Sequence, residues 1–235
     1  MQKKKIAVLT GAGVSAESGF STFRDSDGLW GKYDPQVVAS IQGWYKDRKL
    51  LLNFYNGLRS QLRDAAPNEA HLAIASLEKE HDVTVITQNV DNLHERAGST
   101  RVIHLHGELT KVRPEEGIYD ENFSEEEVLD IGYDEVRLGD LAPNGSQLRP
   151  HIVWFGEAVP KIEKAIDVVA GADLMLIVGS SLSVYPAAGL YRYARPDIPI
   201  YVIDPKEVSL HHDRRITHIK DVATSGMRRF VEMIG

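Results

Sequence analysis

The sequence contains no cysteine among its 235 residues. This absence excludes disulfide bonds, a thiolate nucleophile and a zinc ion held by cysteine. Positive charge is also scarce, because 27 Lys and Arg stand against 34 Asp and Glu, which gives a formal net charge of −7. Binding to nucleic acid or to an anionic membrane relies on basic surface. We therefore expect neither partner, whereas substrates that carry lysine are electrostatically favoured.

Long apolar runs are missing as well, so no segment has the length needed to span a membrane. Lys3, Lys4 and Lys5 precede the apolar "IAVLT", which looks like the start of a signal peptide. That run ends at Gly11, however, and no cleavage pattern follows. We therefore expect a cytoplasmic chain. Its 43% apolar and 26% charged composition is that of a globular protein able to bury a full core.

Short β-forming runs alternate with helical patterns along the chain. The runs predicted as strands are 5–10, 83–87, 101–106, 151–155, 174–178 and 200–204. Helical periodicity covers 67–80, 160–171 and 221–234. Several strand runs are almost continuously apolar, as in strands buried on both faces. The alternation predicts an α/β fold with a doubly wound, Rossmann-like parallel sheet.

Two stretches do not fit this alternation and predict a second, smaller inserted domain. Residues 31–63 are helical without an intervening strand, and residues 115–140 are strongly acidic with only one basic residue, Arg137. Within the acidic stretch, "SEEE" from Ser124 has the spacing of a capping box, which predicts a short helix. The expected division is 1–30, 64–111 and 149–235 for the large nucleotide-binding domain, and 31–63 and 112–148 for the small one.

The stretch "LTGAGVSAESGF" has the G-x-G-x-x-A spacing of a phosphate-binding turn at Gly11, Gly13 and Ala16. Glycines there let the backbone turn tightly and approach a pyrophosphate. A strand-to-helix turn without a ligand remains the alternative, since the motif alone is weak. A dehydrogenase would need a second strand ending in an acidic residue; Asp34 has the distance, but the strand is missing. The polar and aromatic loop that follows the turn instead suggests a segment that closes over a cofactor.

A second informative stretch is "TQNVDNLHERAG", at the end of a predicted buried strand. The carboxyl ends of parallel strands face the ligand crevice, which places Gln88, Asn89 and Asp91 to bind a ligand. Asn89 or Asp91 could alternatively cap a helix running to Ala97. At the end of "VIHLHGEL", His106 titrates in the range that suits proton abstraction at neutral pH. His104 points roughly the same way, so spacing alone does not choose between the two histidines.

Five motifs occur in order over nearly the whole chain: "GAGVSAESGFSTFR", "TQNVDNLHERAG", "HLHGEL", "VWFGE" and "GSSLSVYPAA". Together they closely resemble the sirtuin (Sir2-type) family of NAD-dependent protein deacylases. The form "GLWGKYDPQVVAS" is most similar to the bacterial-type branch, which includes desuccinylases and demalonylases. The resemblance implies an enzyme that cleaves NAD to nicotinamide and transfers the acyl group of an acyl-lysine protein or peptide to ADP-ribose.

The resemblance also implies roles for individual residues. The residues that would contact NAD are Gly11, Ala12, Gly13 and Ala16 at the pyrophosphate, Phe23 and Arg24 in the cofactor loop, Gln88 and Asn89 at the nicotinamide ribose, Asp91 at the carboxamide, and Gly179, Ser180, Ser181, Asp204 and Ala223 at the adenosine end. His106 would be the general base, with Asn89 as the second catalytic residue. Because Asp204 stands where the family usually has asparagine and would repel a 2′-phosphate, NAD is favoured over NADP.

The peptide substrate would add as a strand between "VWFGE" and "SLSVYP", where backbone pairing gives affinity with little side-chain specificity. The residues expected at this site are Val153, Trp154, Phe155, Gly156, Glu157 and Val184, with Val153 and Phe155 lining the acyl-lysine tunnel. A plain core strand is the alternative interpretation of "VWFGE".

Two features depart from the family. Pro114 stands near the position of the first zinc-binding cysteine, and the acidic stretch 115–140 replaces the zinc ribbon, so we predict no metal. Apolar packing must then hold the small domain, and the expected contributors are Ile118, Tyr119, Phe123, Val128, Leu129, Ile131, Tyr133 and Leu138. Members that remove acidic acyl groups carry a tyrosine with an arginine three residues later. Here Leu58 has that spacing from Tyr55, and Arg59 comes one position further, which rotates it by about 100° on a helix. An exposed or peripherally paired Arg59 is therefore expected, and uncharged acyl groups are favoured. The alternative is that Arg59 reaches the acyl group by its length, which makes Tyr55 and Arg59 candidate substrate-binding residues.

Three alternatives to the deacylase stay open. NAD glycohydrolysis or ADP-ribosyl transfer would use the same cofactor cleft without a productive acyl tunnel, but intact "VWFGE" and His106 argue against it. A non-catalytic NAD sensor would not need Asn89, Asp91 and His106 together. A hydride-transferring dehydrogenase is the weakest, given the missing strand. The sequence does not fix the oligomeric state.

Overall fold

The computed structural model of the chain describes residues 3–20, 32–115, 127–208 and 213–235. Its strands are β1 (Lys5–Thr10), β2 (Asp82–Thr87), β3 (Val102–His104), β4 (Gly107–Pro114), β5 (Leu129–Asp130), β6 (Leu148–Ile152), β7 (Leu174–Val178), β8 (Ile200–Ile203) and β9 (Ile216–Ile219). Its α-helices are α1 (Pro35–Val38), α2 (Ile41–Lys46), α3 (Arg48–Asp64), α4 (Glu69–Ser76), α5 (Leu93–Arg96), α6 (Ile162–Ala170) and α7 (Ala223–Ile234). Short 3-10 helices cover Ala12–Val14, Ala16–Ser18, Leu77–Lys79 and Ala187–Tyr193.

Six strands form one sheet in the order β3-β2-β1-β7-β8-β9, and every neighbouring pair is parallel. The strand order reverses between β1 and β7, which makes the carboxyl ends of these two strands the topological switch point. Ligands of open α/β sheets bind in the crevice at that point. The predicted Rossmann-like α/β fold is therefore confirmed.

Apolar residues fill both faces of this sheet. One core contains Leu9, Ile177 and Val202 and is covered by α6 and the 3-10 helix at 187–193. The opposite core contains Val8 and Leu176 and packs against α4 and α7. All five residues of β7 are buried, because the central strand has a helical layer on each side. The continuous apolar runs of the sequence follow from this arrangement.

A second, three-stranded antiparallel sheet has the order β5-β4-β6. Its apolar side packs on α1–α3 through a core that includes Trp44, Phe54, Leu58, Val112 and Trp154. The helices begin at side-chain caps: Ser40 accepts a hydrogen bond from Gly43 N and Asp47 from Leu50 N. The domain boundary predicted at 111/112 falls inside β4, and the one predicted at 148/149 falls after the first residue of β6.

Most predicted elements are confirmed, including the helices at 67–80, 160–171 and 221–234. The strand predicted at 151–155 was wrong in its bounds and its sheet, because β6 ends at Ile152 and pairs antiparallel with β4. The run at 101–106 forms a strand only over Val102–His104, and β9 was missed. The helix expected to run to Ala97 is a single turn from Leu93, and the helix predicted at Ser124 begins outside the described residues.

The small core also corrects the sequence interpretation. Ile131 and Tyr133 pack against it as expected, and Val136 is a buried member that was not predicted. Leu129 and Leu138 are exposed instead, because their side chains point away from the α1–α3 core. Ile118, Tyr119 and Phe123 lie outside the described residues. None of the helices in the described ranges combines the length and apolar character of a membrane span.

Candidate functional site

The glycine turn after β1 lies directly against the residue that follows β7. Gly13 N donates to Gly179 O at 2.9 Å, and Gly11 N donates to Val178 O at 3.0 Å. A Cβ at Gly13 would stand 2.7 Å from Gly179 Cα, and a Cβ at Gly11 would stand 2.7 Å from Gly179 O. Gly179 itself has φ +62, a left-handed conformation that suits glycine. These glycines let the two loops of the switch point touch.

The same turn presents unpaired donors. Within the described residues, the N–H groups of Ala12 and Ala16 have no hydrogen-bond acceptor, and both residues are at least partly exposed. Main-chain N–H groups at the start of helical turns are suited to bind phosphate oxygens. The turn therefore fits the pyrophosphate of a dinucleotide.

Ser15 connects this turn with the segment that follows β2. Asn89 Nδ2 donates to Gly11 O at 3.2 Å and to Ser15 Oγ at 3.1 Å, and Ser15 Oγ donates to Asp91 Oδ2 at 2.9 Å. Asp91 Oδ1 also accepts from Leu93 N, so part of the capping alternative holds. Burial raises the pKa of Asp91, against the lowering effect of these two hydrogen bonds. Ser15 was not singled out from the sequence, because nothing local in "GVSAES" distinguishes it from the other serine.

A further set of hydrogen bonds joins the remaining predicted segments. Gln88 Nε2 donates to Ser180 Oγ at 2.8 Å, which bridges the ends of β2 and β7. His106 Nδ1 lies 2.9 Å from Gln88 O, and Val153 N donates to His106 O at 2.9 Å. The structure thus brings together four of the segments identified in the sequence at one edge of the sheet.

His106 has the arrangement of a neutral base. A carbonyl oxygen can only accept, so the contact with Gln88 O requires the proton on Nδ1. Its Nε2 has no hydrogen-bond partner in the described part of the chain. Burial lowers the pKa of His106, and the bond to Gln88 partly offsets this effect. At neutral pH the ring is therefore uncharged, with Nε2 able to take a proton.

His104 differs from its neighbour on every one of these points. Its side chain is 4% exposed, Nδ1 lies 3.1 Å from Asn89 O, and Nε2 lies 2.7 Å from Glu95 Oε1. Burial favours the neutral ring, but the hydrogen bond and charge of Glu95 outweigh burial and raise the pKa of His104. With both nitrogens engaged, His104 has no basic nitrogen to offer a substrate. The structure therefore distinguishes the two histidines, which spacing alone did not.

The segment 153–157 is fixed on one side by the connection between α1 and α2. Phe155 N donates to Ala39 O at 2.8 Å and Ile41 N donates to Phe155 O at 3.1 Å, which forms a parallel bridge between Ser40 and Phe155. Phe155 is 43% exposed and Val153 is partly buried. Trp154 is buried instead, and its Nε1 donates to Tyr55 Oη at 2.7 Å.

Glu157, predicted at the substrate site, is directed into the protein. Its carboxylate accepts hydrogen bonds from Arg149 at 2.6 and 3.0 Å, from Arg113 at 3.2 Å and from Trp154 N at 2.8 Å. The guanidinium of Arg149 stacks 3.6 Å from the centroid of the Trp154 ring. Glu157 therefore supports the segment 153–157 from the interior of the protein, by accepting the hydrogen bond from Trp154 N.

Arg59 does not have the expected exposed position. It is 1% exposed, and burial lowers its pKa to about 10. Arg59 Nε donates to Leu109 O at 2.8 Å and Nη1 to Asn56 Oδ1 at 2.6 Å, while Nη2 is buried without a hydrogen-bond partner in the described ranges. Leu58 is fully buried in the small core, beside Tyr55. The expectation of a peripheral arginine was wrong because α3 is covered by β4 on that side.

The other predicted residues lie apart from this assembly. Ser181 Oγ lies 3.0 Å from Ser183 Oγ, and Val184 is partly buried. Asp204 follows β8 and accepts from Lys206 N, and Ala223 begins α7. They are at the carboxyl edge of the same sheet but have no hydrogen bond to Asn89 or His106 in the described residues. Phe23 and Arg24 lie outside the described residues.

The described residues lack the ligand set of a structural zinc site. Structural zinc takes four cysteine or histidine ligands. The sequence has no cysteine, and the described residues contain no cluster of three or more His, Asp or Glu able to hold a metal ion. These residues do not fit the zinc site that the sirtuin resemblance implies.

The fold and site define an α/β nucleotide-binding protein whose crevice carries a neutral histidine and an amide–carboxylate cluster. The model of the Sir2 family matches residues 11–186. An NAD-dependent protein deacylase of Bacteroides thetaiotaomicron is 51% identical over 98% of both chains, and one of Helicobacter pylori strain 26695 is 51% identical over 96% of this chain and 95% of the relative. The chain belongs to the Sir2 family.

Solved structures agree with this assignment. A Sir2 homologue in complex with NAD has a TM-score of 0.84 at 37% identity and covers 98% of this chain and 90% of its own. A Sir2 protein with a deacetylated peptide and 3′-O-acetyl ADP-ribose has a TM-score of 0.81 at 30% identity, covering 99% and 94%.

Proposed function

We infer that this chain is an NAD-dependent protein deacylase that acts on acyl-lysine in proteins or peptides. The observation that carries this inference is the hydrogen-bonded assembly of Gly11, Gln88, Asn89 and His106, in which Nε2 of His106 has no hydrogen-bond partner among the described residues. Relatives about half identical over nearly the whole chain carry that activity in their names.

NAD fits the glycine turn, where Ala12 and Ala16 supply N–H donors for the pyrophosphate. When bound, NAD supplies the ADP-ribose that accepts the acyl group, with release of nicotinamide. Asn89 and Asp91 would meet the nicotinamide end, since Ser15 fixes both side chains below the turn. Gly179, Ser180, Ser181, Asp204 and Ala223 would meet the adenosine end, and Phe23 with Arg24 would cover the cofactor.

His106 would serve as the general base. The bond from Nδ1 to Gln88 O fixes the tautomer and leaves Nε2 without a hydrogen-bond partner among the described residues. Because burial keeps the ring neutral at pH 7, Nε2 can take a proton from a hydroxyl group placed within hydrogen-bond distance. Asn89 is held beside it by two hydrogen bonds, which restricts its amide to one orientation.

The peptide would bind along the segment 153–157 and face the segment 181–186. The bridge from Phe155 to Ser40 holds one edge of 153–157 in an extended form. Added-strand recognition uses such an edge through backbone hydrogen bonds. Val153, Phe155, Gly156 and Val184 would contact the peptide or the acyl-lysine, whereas Trp154 and Glu157 would support them from the interior.

We propose that the preferred acyl group is uncharged. Leu58 stands where members acting on acidic acyl groups have an arginine, and it is buried in the apolar core next to Tyr55. Burial raises the pKa of Tyr55, so its hydroxyl stays neutral. Arg59 is directed to Leu109 O and Asn56 by two of its nitrogens. In the part of the chain that the structure describes, Nη2 of Arg59 is buried without a hydrogen-bond partner, which would favour a carboxylate.

The proposal also covers the domain organisation and the location of the chain. Residues 31–63 and 112–148 would form the small domain, which the shared core of α1–α3 and the antiparallel sheet supports. A cytoplasmic location remains a proposal from the sequence.

The test is mass spectrometry of the protein with NAD and peptides that carry acetyl-, butyryl-, succinyl- or long-chain acyl-lysine. We expect NAD-dependent loss of one acyl group and the matching O-acyl-ADP-ribose, with acetyl or butyryl ahead of succinyl. His106→Ala should lose this turnover. His81→Ala is the matched control, because His81 precedes the amino end of β2, at the opposite edge of the sheet.

The alternatives give different products. Nicotinamide without deacylation would indicate a glycohydrolase or transferase, and NAD binding without turnover would indicate a sensor. Preferred turnover of succinyl peptides that Arg59→Leu abolishes would contradict the uncharged-acyl proposal.

A further inference from the structure

Two histidines that are two residues apart contact successive carbonyl groups of the neighbouring segment. His106 Nδ1 reaches Gln88 O and His104 Nδ1 reaches Asn89 O, at 2.9 and 3.1 Å. The backbone pairing of β2 with β3 ends immediately before Gln88, at the hydrogen bond from Leu105 N to Thr87 O. Past that bond Gln88 N still donates to Thr10 O, but the carbonyl groups of Gln88 and Asn89 are supported by the two histidine side chains.

We propose that His104, paired with Glu95, is a positioning residue that fixes the carbonyl of Asn89 and thereby the orientation of Asn89 and Asp91 toward NAD. This inference rests on the proposed function, because it assigns His104 a part in the use of NAD. His104 itself is buried beneath the segment and does not reach the crevice.

The contacts of His104 require a proton on each ring nitrogen. Asn89 O is a carbonyl oxygen and Glu95 Oε1 is a carboxylate oxygen, and both can only accept when Glu95 is ionised. A doubly protonated ring is an imidazolium, which a carboxylate at 2.7 Å stabilises. Charge-assisted hydrogen bonds are stronger and shorter than neutral ones, so this pair holds the Asn89 carbonyl more firmly than a neutral histidine would.

The charged groups around His104 favour this state. Glu95 on α5 and Glu108 on β4 both stabilise the positive ring, and Glu95 in turn has its pKa lowered by His104, against the effect of its own partial burial. His94, also on α5, stays neutral because burial keeps its pKa well below the ordinary value. Asp91 lies on the supported segment, and the charge on His104 acts to lower its pKa.

The first experiment compares His104→Leu, which removes both donors, with His104→Gln, whose amide can still donate to Asn89 O. We expect His104→Leu to lower kcat/KM for NAD about 100-fold, the order of loss caused by small misplacements in an active site. The KM for the acyl peptide should change less than about twofold, and His104→Gln should recover most of the loss. Glu78→Gln is the control, since Glu78 accepts two hydrogen bonds from Thr100 at the surface.

Values of kcat/KM for NAD within about twofold of wild type in folded His104→Leu would overturn the proposal. Equal losses for NAD and peptide would also overturn it, since they indicate a general structural role. A second measurement needs no variant: NMR of the imidazole nitrogens should show His104 doubly protonated at pH 7 and His106 protonated on Nδ1 only. A neutral His104 at pH 7 would contradict the proposal. Absence of turnover by the wild type would count against the proposed function instead, and the NMR result would still decide the state of His104.

Discussion

In the parallel sheet, all five residues of β7 are apolar and buried, whereas in the antiparallel sheet two buried arginines lie directly opposite each other on β4 and β6. Arg113 and Arg149 are cross-strand partners, an arrangement in which like charges repel. Glu157 lies between them with 3% of its side chain exposed and accepts hydrogen bonds from both. Burial and repulsion from Arg149 lower the pKa of Arg113 to about 10, yet it remains charged at pH 7.

The difference shows two ways to hold a layer in place. The parallel sheet has an apolar core on each face, so burial of apolar area stabilises it. The small sheet is covered on one face by α1–α3, and a buried ion cluster joins β4, β6 and the segment 153–157. A cluster of this kind is specific in geometry but costly to disrupt, because each ion has lost its water.

The largest effect is expected from Glu157→Gln. This change removes the buried carboxylate that accepts hydrogen bonds from both Arg113 and Arg149, so the free energy of unfolding should fall by about 3–5 kcal/mol. Urea denaturation followed by circular dichroism measures it. Glu135→Gln is the control, because the Glu135–Arg137 pair is exposed and should contribute about 0.5 kcal/mol or less. A loss below about 1 kcal/mol for Glu157→Gln would mean that the ion cluster does not hold the small sheet.

The parts of the site that follow strand ends were the parts the sequence could predict. Gly11 and Gly13 sit after β1, Asn89 after β2 and His106 after β3, and each is marked by a local change from apolar to polar or glycine residues. Such signals lie within a few residues, and the parallel-sheet rule then brings the strand ends together.

The remaining features depend on pairing between distant segments. The sheet to which β6 belongs follows from its register with β4, and the Arg113–Glu157 contact joins residues 44 positions apart. The distinction between His104 and His106 likewise depends on Glu95 approaching from α5, because both histidines leave the strand on the same side.

Acidification should destabilise the parts of the molecule around both sheets, by less than Glu157→Gln does. Burial lowers the pKa of His71 in the large domain to about 4 and that of His151 on β6 to about 3. The unfolded chain, with histidine pKa near 6.5, therefore binds more protons between pH 6.5 and these values, and stability falls as the pH falls. His104 has a raised pKa and opposes this trend, since its stabilisation is present below pH 6.5 and lost as the pH rises through its folded value.

We expect a net loss of at least about 2 kcal/mol in the free energy of unfolding between pH 7 and pH 5.5, because burial also lowers the pKa of His94 and of His106. Urea titrations at several pH values measure it. His71→Gln should remove about 1 kcal/mol of this loss, because glutamine does not titrate and can still occupy this position of the capping box with Asn68. A stability that is flat or rises on acidification would show that these histidines are protonated in the folded protein.

A smaller loss of stability is expected from shortening one buried side chain of the parallel sheet. Ile177 is fully buried in β7, and Ile177→Val removes one methylene group, which should cost about 0.5–1.5 kcal/mol. Leu138→Ala in the small domain should change stability by less than about 0.5 kcal/mol, since Leu138 is 60% exposed. The denaturation midpoints of the two variants show which substitution costs more stability. A larger loss for Leu138→Ala would restore the sequence expectation that Leu138 belongs to the small core.

The smallest effect is expected from metal removal. If the Arg113–Glu157–Arg149 cluster and the apolar core stabilise the small domain, dialysis against EDTA should leave the melting temperature and the deacylation rate unchanged. Structural zinc contributes directly to folding free energy, so its loss from a metal-dependent domain lowers the melting temperature strongly. A clear drop after EDTA, reversed by added zinc, would show that ligands other than cysteine hold a metal here. Apolar burial would then stabilise the parallel sheet, and metal binding would stabilise the antiparallel one.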